Sequence, residues 1–337
     1  LFRSARFLAI KLLNKTFDKQ GFSNLVLDYA LSNAQLEPQD KRFCSMLYYG
    51  VIERKITLDY IISKYSKKPL NKLDLSILNI LRCGIYQLKY MDSVPDSAAI
   101  NESVKLVKKY RLTSAAGFVN AVLRNFVRDN KEFSLPKEKI ARFSLEYSAP
   151  EWLVKKLLEE YDEESAISVL ESSVLKAPVT IRLNNIIADE EKLIENMGGI
   201  ELKKSELIEN CYEALSGDVT ATDAFKKGYF HVQDISSQLC CMALGVKENE
   251  IVLDLCSAPG GKAFTIAELM NGTGTVYAFD MYENRVQLIK DGTERLHVKN
   301  IKAMSGNALE FDKNIPLADK ILCDVPCSGL GVIRKKP

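Results

Sequence analysis

Three short stretches of this 337-residue chain combine residue types that could carry out group-transfer chemistry. The first is Asp254-Leu255-Cys256-Ser257-Ala258-Pro259-Gly260-Gly261-Lys262, where two glycines let the backbone turn closely and leave its amides open to a ligand. It is not the dinucleotide GxGxxG pattern. It also fails the phosphate-loop pattern, because position 256 is Cys and Ala263 stands where a magnesium-binding hydroxyl is required. ATP and NAD are therefore disfavoured. The second feature is Asp280, twenty residues past Gly260, where a carboxylate at a strand end accepts hydrogen bonds from ribose hydroxyls. A ribose-bearing cofactor without a pyrophosphate fits this pair, and S-adenosylmethionine is one. A purely structural helix entry is the alternative. The third stretch, Asp324-Val325-Pro326-Cys327-Ser328-Gly329, brings a carboxylate, a thiol and a glycine-permitted turn to one spot. A lone Cys is usually buried filler. One placed right after Pro, three residues beyond a strand-end Asp, is less easily read that way.

These stretches need a parallel sheet to hold them. Ile251–Leu255, Thr275–Asp280, Ile301–Met304 and Lys320–Asp324 are short apolar runs separated by helical segments. Such a rhythm implies a doubly wound α/β domain of Rossmann type, expected over residues 230–337. Residues 1–130 instead read as helices throughout. Ile77, Leu78, Ile80, Leu81, Ile85 and Leu88 repeat at the α period, and the stripe continues in Ile100, Val104, Val107, Phe118, Val119, Val122, Leu123 and Phe126. Those are packing positions. Function falls to the other face, where Lys105, Lys108, Lys109 and Arg111 cluster and Arg124 and Arg128 join them; a solvated basic face is the alternative. From Lys131 to Pro150 the pattern loosens, with Pro136 and Pro150 as breakers, and the boundary and linker are expected there. A small α+β module follows, with a helix from Glu151 to Leu170, a strand near Pro178–Asn184 and a helix from Glu190 to Met197, so that linker and module occupy 131–229.

Hydrophobic residues make up 47% of the chain and charged ones 27%, which excludes a disordered or fibrous protein, and the length favours two domains with a short module between them. The formal charge of +2 hides an asymmetry. Residues 1–130 carry 21 Lys and Arg against 11 Asp and Glu, leaving 25 against 33 for the remainder. The basic part suggests a polyanion, nucleic acid, as partner. The eight cysteines are scattered and no signal sequence precedes them, so they read as reduced thiols in a cytosol. No pair has CxxC spacing, and His231 and His297 lie far apart in sequence; no metal site is expected. Arg3 and Arg6 interrupt the first segment too early for secretion, and no apolar run approaches the roughly 20 residues of a membrane span. A cytoplasmic protein with no membrane partner is expected.

Taken together, Cys256–Lys262, Asp280 and Asp324–Gly329 resemble the signature of RNA cytosine-C5 methyltransferases of the NOL1/NOP2/Sun family. The upstream segment Gly228-Tyr229-Phe230-His231-Val232-Gln233-Asp234-Ile235-Ser236-Ser237-Gln238 is similar to one that these enzymes carry before the cofactor strand. The basic helical first part resembles the NusB fold. The combination resembles the bacterial members that act on 16S ribosomal RNA, over essentially the whole chain. The resemblance implies an all-α NusB-like RNA-binding domain, S-adenosylmethionine as cofactor, 16S ribosomal RNA as partner and a monomer. Cys256, Ser257, Ala258, Pro259, Gly260, Gly261 and Lys262 would cradle the methionine part of the cofactor and Asp280 its ribose, with Asp324 near both the cofactor's amino group and the target base. The family has a further acid after the third strand, facing adenine. Here Ser305-Gly306-Asn307-Ala308 supplies Asn307, which still accepts from the adenine amino group and donates as well, so altered affinity rather than loss is expected.

The resemblance also implies covalent catalysis. Cytosine C5 is a poor nucleophile, so a thiolate adds to C6, C5 then attacks the methyl group, and a base removes the C5 proton. Asp324 beside N3 would stabilise the charge that develops on the ring, and the base must leave its stack to reach the pocket. In the RNA family the attacking thiol follows a later strand and the Pro-Cys thiol, here Cys327, helps eliminate the product; DNA cytosine methyltransferases attack with their Pro-Cys thiol. The sequence opens without Met and ends thirteen residues past Asp324. The principal nucleophile is therefore expected beyond Pro337, and these residues alone are expected to bind cofactor weakly and not to turn over, with the fourth strand left as an exposed edge. Two other readings compete: a non-catalytic RNA-binding or ribosome-assembly factor with a degenerate methyltransferase fold, and an amino- or carboxyl-methylating enzyme on the same fold.

Overall fold

The computed structural model describes residues 4–19, 23–175, 177–310, 313 and 315–334. One compact unit is formed by residues up to 176 together with those from 330 onward, and a second by Ala177–Gly329. Among the described residues no helix is long and apolar enough to cross a membrane.

The first unit opens with α1 (Ala5–Lys19), α2 (Ser23–Ser32), α3 (Pro38–Glu53), α4 (Lys55–Tyr65), α5 (Leu75–Tyr90), α6 (Asp96–Lys109) and α7 (Ala116–Arg128). α5 is central: it packs against α1, α3, α4, α6 and α7. Its expected stripe, Ile77, Leu78, Ile80, Leu81, Ile85 and Leu88, is buried, as are Val119, Val122, Leu123 and Phe126 of α7. Asp74 starts α5 by accepting from the amides of Ser76 and Ile77. Arg82 on the same helix is buried, and Asp59 engages it at 2.6 and 2.7 Å, so its charge is not left unpaired.

Two features differ from the sequence expectation. The stretch taken as a linker contains α8 (Lys139–Tyr147), which is tied to the first unit. Thr57 Oγ1 donates to the Leu145 carbonyl at 2.6 Å, and the Ser148 hydroxyl accepts from the Ile56 amide at 3.2 Å. Polar anchors of this kind leave no mark in hydrophobic periodicity. The helix expected from Glu151 to Leu170 is two, α9 (Glu151–Glu160) and α10 (Glu163–Ser173). Asp162 breaks it by accepting from the Ser165 amide at 2.9 Å, which caps a new helix.

The second unit contains two four-stranded sheets. An antiparallel one is built from β1 (Val179–Leu183), α11 (Glu190–Glu195), β2 (Leu202–Lys204), β3 (Cys211–Ala214), α12 (Asp223–Lys226) and β4 (Phe230–Val232), with strand order β2-β3-β1-β4. After α13 (Ile235–Ala243) come β5 (Ile251–Asp254), α14 (Gly261–Leu269), β6 (Thr275–Asp280), α15 (Glu283–Arg295), β7 (Ile301–Ser305) and β8 (Lys320–Leu322). Their sheet is parallel throughout, in the order β7-β6-β5-β8. The order reverses between β5 and β8, and ligands of doubly wound sheets bind in the crevice at that switch point, outside the carboxyl ends of the strands.

Candidate active site

β5 delivers Asp254 to this switch point, and the loop that follows is pinned at three places. The Leu255 amide donates to the Leu322 carbonyl at 3.0 Å, the Ser257 amide to Phe279 at 2.7 Å and the Gly260 amide to Ser257 at 2.8 Å. Gly260 sits at φ +105°, and a Cβ there would lie 2.5 Å from the Phe264 ring, so the turn into α14 requires glycine on both counts. From α15, Arg285 reaches back to the same loop. It donates to the Ala258 carbonyl at 2.8 Å and pairs with Asp280 at 3.1 Å, joining the ends of β5 and β6.

A cavity of about 240 Å³ opens here. It brings together Cys256, Ser257, Ala258, Pro259, Gly261, Lys262 and Asp324, all of them expected site residues, with Gln233 and Asp254 among its other walls. Lys262 Nζ binds Asp324 Oδ2 across it at 2.5 Å. Burial by itself lowers the pKa of the Lys262 ammonium, but the Asp324 partner outweighs it and the net shift is upward. Asp254 is 1% exposed, and neither of its oxygens has a partner of good hydrogen-bond geometry, although the Ser257 hydroxyl and the Cys256 amide lie near enough to favour its charge. Desolvation pushes its carboxyl up to about 6, only partly offset by the nearby Ser257 hydroxyl and the Lys262 charge. Burial likewise raises the Cys256 thiol, which suits Cys256 to lining the cavity rather than to attack.

The remaining expected residues lie outside this cavity. Asp280 is buried at the end of β6 with Arg285 on its carboxylate. Asn307 lines a larger groove of about 790 Å³ beside Leu255, Phe279 and Ser305. Its side chain is held within its own turn, donating to Glu310 Oε1 at 2.7 Å and accepting from the Leu309 amide at 3.1 Å. Cys327 is exposed, in the segment without regular structure after β8. The six basic residues are all exposed on the first unit, with Lys105, Lys108 and Lys109 on α6, Arg111 just past it, and Arg124 and Arg128 on α7. Lys105 pairs with Glu102 at 2.7 Å, Lys109 lies 4.0 Å over the Phe7 ring and Arg124 donates to Asn120. Sequence reasoning missed Asp254, Gln233 and Arg285 as site residues. Asp254 carried a signal, an acid closing an apolar strand at the glycine-rich turn, and Gln233 lay within the upstream segment of the resemblance without a role; Arg285 carried none.

The architecture defines a class: a helical NusB-type unit in one chain with a Rossmann-type methyltransferase sheet whose motif loops meet at the switch point. Residues 3–128 match the NusB family, and residues 241–337 match the family described as 16S rRNA methyltransferase RsmB/F. The probable ribosomal RNA small subunit methyltransferase B of Bacillus subtilis is 37% identical over 339 residues, covering 99% of this chain and 76% of that protein. The chain belongs to the ribosomal RNA small subunit methyltransferase B family. Among solved structures, PH0851 has the same fold, with a TM-score of 0.76 at 22% identity over 100% of this chain and 77% of that one. A methyltransferase homolog protein from Pyrococcus horikoshii is 29% identical, with a TM-score of 0.52 over 57% of this chain and 64% of that one.

Proposed function

We propose that this protein transfers a methyl group from S-adenosylmethionine to C5 of a cytosine in 16S ribosomal RNA. The observation that carries the proposal is the convergence of the glycine-rich loop, the buried partnerless Asp254 and the Lys262–Asp324 pair on one cavity at the switch point of the sheet. The cofactor's amino-acid end fits there, because a buried carboxylate without a partner calls for a cation and an ammonium supplies one. Residues 256–262 hold that end, Asp280 receives the ribose, and Asn307 in the neighbouring groove meets adenine after exchanging its Glu310 contact. When bound, the cofactor supplies an electrophilic methyl group.

This chain's residues then prepare the base. The exposed cations of α6 and α7 take hold of RNA phosphates. Asp324, at the carboxyl end of β8, meets the ring at N3 and relays a proton to it as a thiolate adds to C6, so that the electron pair displaced from the C5–C6 bond builds no net negative charge on the ring. That addition forms an S–C6 bond and makes C5 the nucleophile; removal of the C5 proton after transfer expels the thiolate. Cys327, three residues past Asp324, assists the expulsion and leaves the attack to another thiol.

Incubation of the full-length gene product with labelled methyl donor and 16S ribosomal RNA, followed by nucleoside digestion, tests this. Label is expected in 5-methylcytidine, and Cys327→Ala is expected to accumulate a protein–RNA adduct stable to detergent. Label on an exocyclic amine would overturn the C5 assignment. Tight RNA binding with no cofactor binding at all would favour a non-catalytic assembly factor.

A further inference from the structure

Gln233 lies between β4 and α13 and lines the cavity, and the nitrogen of its buried side chain has no partner. The backbone around it is fixed: its amide donates to the Thr180 carbonyl at 3.0 Å, and its own carbonyl accepts from Thr180 Oγ1 at 2.7 Å and from Gln238 Nε2 at 3.2 Å. Its side-chain oxygen is also committed, accepting from Thr265 Oγ1 at 2.6 Å. Behind Thr265 stands a buried row of polar groups. Thr265 Oγ1 lies 3.2 Å from His231 Nε2, and Glu268 Oε2 accepts from Arg182 Nε at 2.9 Å, while His231 Nδ1 and Glu268 Oε1 lie 3.4 Å apart without a hydrogen bond between them. With the oxygen turned toward Thr265, the amide nitrogen is left without a partner beside Gly261 of the cavity wall. Gln233 is 7% exposed and its Nε2 has no partner. A buried donor in that position calls for an acceptor from a ligand.

The other walls tell which acceptor. Lys262 is taken up by Asp324, which leaves the Gln233 amide and the Ser257 hydroxyl as the unpartnered donors among the described walls. The buried Asp254 contributes two oxygens without partners and calls for a cation. A ligand that satisfies both presents an anion and a cation within the span of a 240 Å³ cavity, as an α-amino acid does with its carboxylate and ammonium. Gly261, at the start of α14, adds the positive end of a helix on the donor side; a Cβ on it would lie 3.8 Å from Gln233 Nε2.

We infer that Gln233 is a cofactor-contacting residue, donating from Nε2 to the carboxylate at the amino-acid end of the methyl donor while Asp254 receives its ammonium. This rests on the proposal that the cavity takes S-adenosylmethionine, and it assigns a role to a residue outside the motif loops. Thr265, whose hydroxyl donates to the side-chain oxygen, is the positioning residue that decides which way the amide faces.

Calorimetric titration of the protein with S-adenosylhomocysteine and with methylthioadenosine, which lacks the amino-acid end, separates the possibilities. Gln233→Leu is expected to weaken S-adenosylhomocysteine roughly tenfold or more, as loss of a hydrogen bond to a charged group does. Gln233→Glu, which sets like charges together, should weaken it further, and methylthioadenosine should bind both variants as it binds wild type. Unchanged S-adenosylhomocysteine affinity in both variants would overturn the inference. So would equal weakening of both ligands, the signature of a packing role, and so would undiminished binding to Gln233→Glu, which would mean that the oxygen faces the cavity. Wild type that binds neither ligand would overturn the cofactor assignment itself, a result distinct from any change confined to the variants.

Discussion

Burial holds the Asp254 carboxyl at about 6, against 3.8 for the group in water, which couples this one residue to both stability and binding. A carboxyl whose pKa is raised by folding contributes stability below its unfolded value and loses it as pH rises through the folded value. Unliganded protein at pH 8 therefore carries a penalty of roughly 3 kcal/mol at this position. Asp254→Asn is expected to stabilise the unliganded protein at pH 8 by up to about that amount, with the gain shrinking as pH falls through 6 toward 4. Urea unfolding at several pH values measures it. Binding runs the opposite way. A ligand ammonium needs the carboxylate, so S-adenosylhomocysteine affinity should fall below pH 6, by at most about tenfold per pH unit, and Asp254→Asn should bind weakly with no such dependence. Calorimetry at pH 5 and 7.5 distinguishes the two.

At the scale of elements, α6 and the segment after it hold four of the six cations proposed to meet RNA. Lys108 and Lys109 are both exposed at the end of α6, and neither is in a salt bridge among the described residues. Reversing both to Glu is expected to weaken RNA binding and reduce the slope of log affinity against log salt by about one to two. Filter binding at two salt concentrations reads this directly, and an unchanged slope would remove α6 from the interface. The elements themselves were largely legible. The α-periodic stripe of α5, the apolar runs of β5 to β8 and the glycine-rich turn announce themselves in residue order, because burial and turn geometry act over a few neighbouring residues. What stayed hidden depends on partners distant in sequence. The anchoring of α8 rests on Thr57 and Ser148, 91 positions apart. The commitment of Asp280 to Arg285, and the vacancies on Asp254 and Gln233, are set by which groups the fold brings near and which it keeps away. The cavity's motif loops could be named from the sequence, whereas its donors and acceptors could not.

Within the second unit the two sheets are joined by charge as well as by chain. Arg182 lies in the antiparallel sheet and Glu268 on a helix over the parallel one, both almost fully buried and 2.9 Å apart. Removing one partner strands the other in a medium that solvates it poorly. Arg182→Met is expected to lower stability by roughly 3–5 kcal/mol, and Arg182→Met with Glu268→Gln to recover most of that loss. Urea denaturation of wild type, both single variants and the double variant completes the cycle; additive losses would mean that the two charges are not coupled. The opposite charge of the two halves of the sequence adds a division of labour, a cationic helical part for phosphates and an acidic remainder that holds the proposed chemistry.

The row from Arg182 to Gln233 bears on transplantation. Anyone grafting this methyl-donor pocket onto a foreign Rossmann scaffold by copying the glycine-rich turn and its neighbouring acids would leave behind β1 and β4, which supply the guanidinium and the imidazole behind Thr265. Without them the Thr265 hydroxyl that holds the amide at position 233 loses its imidazole neighbour, and the recipient would inherit a pocket of the right outline whose polarity is free to invert.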